Sequence, residues 1–388
     1  MLQKTIMDIY AGHKEMLALL RELVLIQSGS YNKKGLDRMA RTMAGVLEET
    51  GLETRVISFE HCGDMVLART SRAGHEPGLL LVGHMDTVFP ADTSFDFYRE
   101  DGDRVLGPGV LDMKGGLVVG VFALKALARA GILDDLPVTV FCNSEEEIGS
   151  LYSRKIIESL CRENRLAFVL EGGGLNSEVV VGRKGKIGLE LDVQGRGGHA
   201  GNLSAEGKSS AILEAAHKII QLEALNHPPD ILVNVGLVRG GMGANCIPET
   251  ALLEVDIRYK DPADETRITD RVRDICGYMT VPGTNAGFRQ VSGRPPMPAS
   301  LETERLYSLV EEAAQELELP LARETRGGVS DANFIAAAGL PVLDGLGPLG
   351  DCDHSEQEYI LKESLPQRCA LLALSMLKAF PGLKSQSV

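Results

Sequence analysis

The sequence predicts an α/β fold: a mixed, mostly parallel sheet flanked by helices, interrupted by a smaller inserted α+β domain. Three observations carry this. Short apolar runs alternate with segments of helical period along the first part of the chain. Near residue 183 the pattern changes to stretches in which apolar and polar residues alternate. Beyond Pro295, Pro296 and Pro298 the α/β pattern returns. A length of 388 residues accommodates two domains. The expected boundaries are 1–182 plus 296–388 for the larger domain and 183–295 for the inserted one.

In chain order, 13–27 carries apolar residues at Met16, Leu20, Leu23 and Val24, a helical stripe. Strands are expected over 54–58, 65–68 and 79–82, then a helix over 115–130 after Gly115-Gly116. Two further apolar strands follow at 136–143 and 166–170. Strands that alternate with helices imply a parallel sheet covered on both faces. In the insert, 186–193 alternates, and a helix over about 205–225 places Ile212, Ala216, Ile219 and Ile220 on one face. Alternating stretches at 231–238 and 250–259 and a helix at 263–278 complete a β-α-β-β-α order. The last part reads as helices over 302–317 and 331–338, a strand at 341–343 and a helix over 364–379.

Composition narrows the function. Hydrophobic residues make up 44% and charged residues 24%, the balance of a folded chain. A net charge of -14, from 54 acidic and 40 basic residues, argues against a nucleic-acid partner. It leaves room for an anionic small molecule held by a local arginine. No apolar stretch is long enough to cross a membrane, and the first residues lack a signal-peptide pattern, so a cytoplasmic location is expected. The seven cysteines include no CxxC pair and read as free thiols in a reducing compartment. Cys352 lies two residues from His354 and is the one candidate ligand among them.

Five motifs carry chemistry. Gly83-His84-Met85-Asp86-Thr87 ends an apolar strand, where ligands of open α/β sheets gather. The period of two puts His84 and Asp86 on one face, so Asp86 can fix the imidazole tautomer. Gly107-Pro108-Gly109-Val110-Leu111-Asp112-Met113-Lys114-Gly115-Gly116 leads into a helix. Its spacing fits no phosphate loop, and Asp112 reads equally well as a helix cap. Glu145-Glu146-Glu147 follows a wholly apolar strand. It is either a solvated acidic loop or a carboxylate cluster whose repulsion a dication relieves. Glu171 follows another strand and precedes three glycines. Asp351-Cys352-Asp353-His354-Ser355 follows the glycine-rich 344–350. Nitrogen and oxygen donors together suit zinc, and also cobalt or manganese.

In this order the five motifs resemble the zinc-dependent family of glutamate carboxypeptidase, aminoacylase, acetylornithine deacetylase and succinyl-diaminopimelate desuccinylase. Glu146-Glu147-Ile148-Gly149-Ser150 and Asp344-Gly345-Leu346-Gly347 are most similar to the glutamate carboxypeptidase branch. The resemblance implies two zinc ions, one on His84, Glu171 and a bridging Asp112, the other on Glu147, His354 and the same Asp112. It implies Glu146 as general base, Asp86 as support for His84, and a cis peptide after Asp112. With a bridging hydroxide, two dications are balanced by the three ligand carboxylates. The inserted domain is then a lid and dimerisation domain of a homodimer. His199, in Gly195-Arg196-Gly197-Gly198-His199-Ala200-Gly201, would hold the oxyanion in the partner subunit's site. Arg258 would clamp a substrate carboxylate with help from Asn245. Arg326, Gly328 and Ser330 would line the substrate, although Val329 stands where relatives often have threonine. The implied activity is hydrolysis of an N-acyl or peptidyl amino acid with a free carboxylate. The alternatives are a deacylase of the acetylornithine or succinyl-diaminopimelate type, and a non-catalytic amino-acid or peptide binding protein.

Overall fold

The computed structural model describes residues 2–202 and 207–380. These divide into two compact units. One comprises the residues up to Gly182, Ala299–Thr325 and those from Ser330 onward. The other comprises Arg183–Pro298 and Arg326–Val329. The second unit therefore runs to Pro298 and takes in a distant loop, which residues of its own fasten. Lys184 N donates to Arg326 O at 3.0 Å, Arg258 Nη1 to Gly327 O at 3.3 Å, and Arg183 Nη1 to Gly328 O at 3.1 Å.

The first unit is built on a six-stranded sheet. Its order is Glu53–Ile57, Met65–Arg69, Val138–Asn143, Gly78–His84, Asn164–Val169 and Val342–Leu343. The first three strands are antiparallel neighbours and the remaining pairs are parallel. Gly78–His84 lies in the parallel part and is buried at every position. A strand covered on both faces has to be continuously apolar, which is what Leu79-Leu80-Leu81-Val82 supplies. Helix Lys114–Arg129 is buried along most of its length and packs on helix Ser364–Lys378. Its first turn crosses the end of the strand that leads to Glu171. A Cβ on Gly116 would stand 1.7 Å from the Leu170 carbonyl oxygen. Only glycine permits that approach.

Most expected elements are found within a few residues of their expected bounds, but not all. Helix Lys33–Glu48 was not anticipated, although Leu36, Met39, Ala40, Met43, Ala44 and Leu47 give it a buried face. Asn32 caps it by accepting from Gly35 N at 3.2 Å. The helix expected over 13–27 is found as His13–Val24, and a further helix, Leu2–Ala11, precedes it across Gly12.

The second unit is a four-stranded antiparallel sheet in the order Ile231–Gly240, Thr250–Tyr259, Gly185–Gln194 and Asn285–Arg294. The last strand escapes the alternation test because Gly287 and Gly293 break it and its register shifts between Gln290 and Ser292. Ile187, Leu189, Leu191, Val193, Leu253, Val255 and Ile257 face helices Ala211–Glu223 and Asp264–Gly277. The opposite face carries Lys186, Glu190, Asp256 and Arg258. The first residues of the helix expected over 205–225 lie outside the described residues.

Candidate active site

Three neighbouring parallel strands of the first unit deliver its polar groups at their carboxyl ends, the usual ligand side of such a sheet. His84 is the last residue of Gly78–His84 and pairs in register with Asn143. Past Asn143 a single 3-10 turn, Glu146–Ile148, presents two carboxylates and ends at Gly149, whose φ is 106°. Glu171 lies just past Asn164–Val169. Asp112 comes from the glycine-rich loop, and its peptide bond to Met113 is cis, as expected. His354 and Cys352 both have left-handed backbones, φ 59° and 64°.

Asp112 is the hub. Its Oδ1 is 3.0 Å from His84 Nε2 and its Oδ2 is 3.1 Å from His354 Nε2. Glu171 Oε1 approaches His84 Nε2 at 3.6 Å, and Glu147 Oε2 approaches His354 Nε2 at 3.2 Å. Ligand atoms of His84, Asp112 and Glu147 lie within 4.8 Å of one another. So do those of Asp112, Asp353 and His354, which adds Asp353, a residue the motif reading had passed over. Cys352 joins neither group among the described residues.

Asp86 holds this arrangement from behind. It is fully buried, and its carboxylate lies 3.3 Å from His84 Nδ1. The same carboxylate accepts from Glu146 N at 3.1 Å, Glu147 N at 3.2 Å and Ser30 Oγ at 2.7 Å. One side chain thus fixes both the imidazole and the turn that carries Glu146 and Glu147. Glu145 is turned away and accepts from Tyr152 N and Ser153 N at 2.6 and 2.5 Å, which anchors the helix that follows.

The electrostatics show a site short of positive charge. Burial pushes the Glu147 carboxyl up to about 8 and Glu171 up to about 7, and the Asp112 charge adds to both. Hydrogen bonds to Asp112 and Glu147 raise His354 to about 11. Burial opposes charge on His84, but Glu171 and its hydrogen-bond partners hold it well above the ordinary range. Burial would raise Asp112 too, yet bonds from His354 and His84 hold it well below the usual carboxylate range. Glu147 Oε1 is buried without a hydrogen-bond partner. Two imidazoles, several carboxylates and one orphaned carboxylate oxygen are a donor set that fits a divalent cation.

Glu358 was missed by the motif reading. It is fully buried and accepts three backbone bonds, from Gly109 N at 2.8 Å, Leu111 N at 2.7 Å and Asp112 N at 3.0 Å. It clasps the loop that presents Asp112. Burial pushes its carboxyl up to about 8, against the pull of those three amides. Lys114, also buried, donates to Ile26 O at 3.0 Å, and burial lowers it to about 7.

The remaining sequence candidates divide between the units. Ser330, in the first unit, is buried and donates to Asp344 Oδ2 at 2.6 Å. Beside it, Asp331 accepts from Ser150 Oγ at 2.6 Å and from Asn143, so this network braces the turn that bears Glu146. In the second unit, His199 and Asn245 share one ribbon, with Gly198–His199 paired to Cys246–Ile247 and Ala200 N donating to Asn245 O at 2.9 Å. Arg258 leaves the sheet on its open face, and Arg326 and Gly328 lie in the loop that the second unit fastens.

Comparison with known proteins fits this architecture. Residues 80–378 match the family model described as Peptidase family M20/M25/M40. Carboxypeptidase G2 of Pseudomonas sp. (strain RS-16) is 28% identical over 366 residues, 92% of this chain and 88% of that protein. Succinyl-diaminopimelate desuccinylase of Blochmanniella pennsylvanica (strain BPEN) is 24% identical over 375 residues, 90% of this chain and 94% of that protein. Among solved structures, the aminopeptidase PepT of Bacillus cereus ATCC 10987 superposes with a TM-score of 0.75 at 19% identity, covering 94% of this chain and 98% of that one. The protein is a hydrolase of peptide or amide bonds. Within that class, the chain belongs to Peptidase family M20/M25/M40.

Proposed function

We propose that the protein is a glutamate-carboxypeptidase-like exopeptidase that holds two zinc ions and cleaves the amide bond next to a free α-carboxylate. The carrying observation is the Asp112 carboxylate, which turns one oxygen to each of two histidines at 3.0 and 3.1 Å. One ion would rest on His84, Glu171 and Asp112, the other on Glu147, His354 and Asp112. When bound, the metals supply Lewis acidity that acidifies a water and polarises the scissile carbonyl.

This chain's own groups do the rest. Glu146 takes the proton of the attacking water on its carboxylate and passes it to the leaving amine nitrogen. Asp86 keeps His84 oriented. Arg258, with Asn245, Arg326 and Gly328, binds and orients the substrate, whereas Ser330, buried and with its hydroxyl given to Asp344, braces its loop instead. His199 Nδ1 accepts from Gly201 N at 3.1 Å, so a neutral ring carries its proton on Nε2, free to donate to an oxyanion. In a homodimer that donation is made in the partner subunit's site.

Hydrolysis rates of the zinc-loaded enzyme on N-acyl-glutamates, dipeptides, N-acetylornithine and N-succinyl-diaminopimelate test the reading. Fastest turnover of an N-acyl-glutamate or a dipeptide supports it. Preference for the last two favours a deacylase, the reading to which the likeness to the desuccinylase points. No turnover of any of them with metal bound would leave a binding protein.

Arg258→Ala is expected to raise KM about 10- to 100-fold for substrates with a free carboxylate, the worth of a charged two-pronged hydrogen bond. It should leave the α-amidated analogues almost unchanged. Equal losses on both would remove the clamp.

The homodimer would form through the second unit. Ile212, Leu213 and Ile220 of helix Ala211–Glu223 are exposed, as are Leu232 and Val238 of the edge strand Ile231–Gly240. Sedimentation is expected to give twice the chain mass at micromolar concentration, and a monomer mass would end this proposal. No helix among the described residues is long and apolar enough to cross a membrane. All seven cysteines are free thiols, which fits the cytoplasm proposed for the protein.

A further inference from the structure

The guanidinium of Arg258 is already in use. Its Nε donates to Asp256 Oδ1 at 2.6 Å and its Nη2 to Asp256 Oδ2 at 3.1 Å, a two-pronged bond along one edge. Its Nη1 donates to Gly327 O at 3.3 Å. Asp256 stands two residues earlier on the same strand, so the two side chains share the open face of the sheet. Lys186, the neighbour of Arg258 on the adjacent strand, brings Nζ to 3.7 Å from Asp256 Oδ2.

A guanidinium has five N–H donors in a rigid fork. Asp256 and Gly327 take three and leave one N–H each on Nη1 and Nη2 for a substrate carboxylate. A free arginine side chain carries rotamer entropy that binding has to remove. Here the strand neighbour has removed it beforehand. We propose that Asp256 is the positioning residue of the Arg258 clamp and fixes which edge of the guanidinium a substrate carboxylate can take. This rests on the carboxylate-clamp reading given above.

Asp256 is a partly exposed strand residue, so its variants test binding rather than folding. The assay uses zinc-loaded wild type, Asp256→Ala, Asp256→Asn and Asp256→Ala in an Arg258→Ala background. The probes are N-acetyl-L-glutamate and its α-amide. Asp256→Ala is expected to raise KM about tenfold for the free acid, with kcat within about twofold and the α-amide unaffected. Asp256→Asn keeps an acceptor for Nε and should restore KM to within about threefold. In the Arg258→Ala background, loss of Asp256 should change nothing further.

A lower KM in Asp256→Ala would show that the aspartate competes with substrate, and would overturn the proposal. So would an equal loss on the α-amide, or an added loss in the Arg258→Ala background. The clamp itself is judged separately. If wild type and Arg258→Ala treat acid and amide alike, the clamp reading fails and the role of Asp256 falls with it. If they differ but Asp256→Ala matches wild type, only the role of Asp256 falls.

Discussion

Glu146→Gln is expected to lower kcat by ~10²- to 10⁴-fold, the usual worth of a placed proton shuttle. The amide keeps the size and shape of the carboxyl but cannot accept the proton. Glu146 is held by its backbone N–H, which donates to Asp86, and that bond is untouched by the side-chain change. The turn should stay in place, and Glu147 with it. Zinc content per chain, measured beside kcat, should equal that of wild type. A variant that turns over near the wild-type rate would remove Glu146 from the chemistry. One that has lost its zinc would show a metal ligand instead.

Asp112→Ala acts on the other half of the reaction. Both histidines face this carboxylate, so its removal should strip a ligand from both ions of the proposed pair together. Bound zinc and turnover should fall to background. Added zinc should raise the melting temperature of wild type by mass action, with no such shift in the variant. Retention of one full equivalent of zinc with altered kinetics would show that the two positions do not share this residue. The side chain is largely buried and its backbone is clasped by Glu358, so the fold should survive.

The parts of this site that were legible in the sequence sit where a strand stops. His84, Glu147 and Glu171 each follow an apolar run, and a run that ends in a charged or metal-binding residue is a local signal. Asp112 and His354 were marked by glycines that the backbone needs for close approach. What could not be seen acts at long range. Glu358 binds backbone amides, which any sequence possesses, so nothing at 109–112 announces a partner. Asp331 and Asp344 look like loop aspartates, yet they take the hydroxyls of Ser150 and Ser330. Ser330 itself drew notice through the glycine loop, and its hydroxyl is committed to Asp344. In the fold, helix Lys33–Glu48 was hidden by its polar residues, because only its spacing of apolar positions marks it. Asp256 reads as an ordinary exposed strand charge until its contact with Arg258 is known.

The clasp made by Glu358 also constrains when the centre can exist. Its carboxylate meets the Asp112 amide across 246 positions of chain. During synthesis from the amino end, the proposed ligands His84, Asp112, Glu147 and Glu171 emerge long before Glu358, which ties the loop of Asp112, and before His354. A nascent chain halted short of that stretch should hold zinc poorly, which metal analysis of arrested ribosome complexes would reveal. Competence thus waits for the stretch that holds His354 and Glu358.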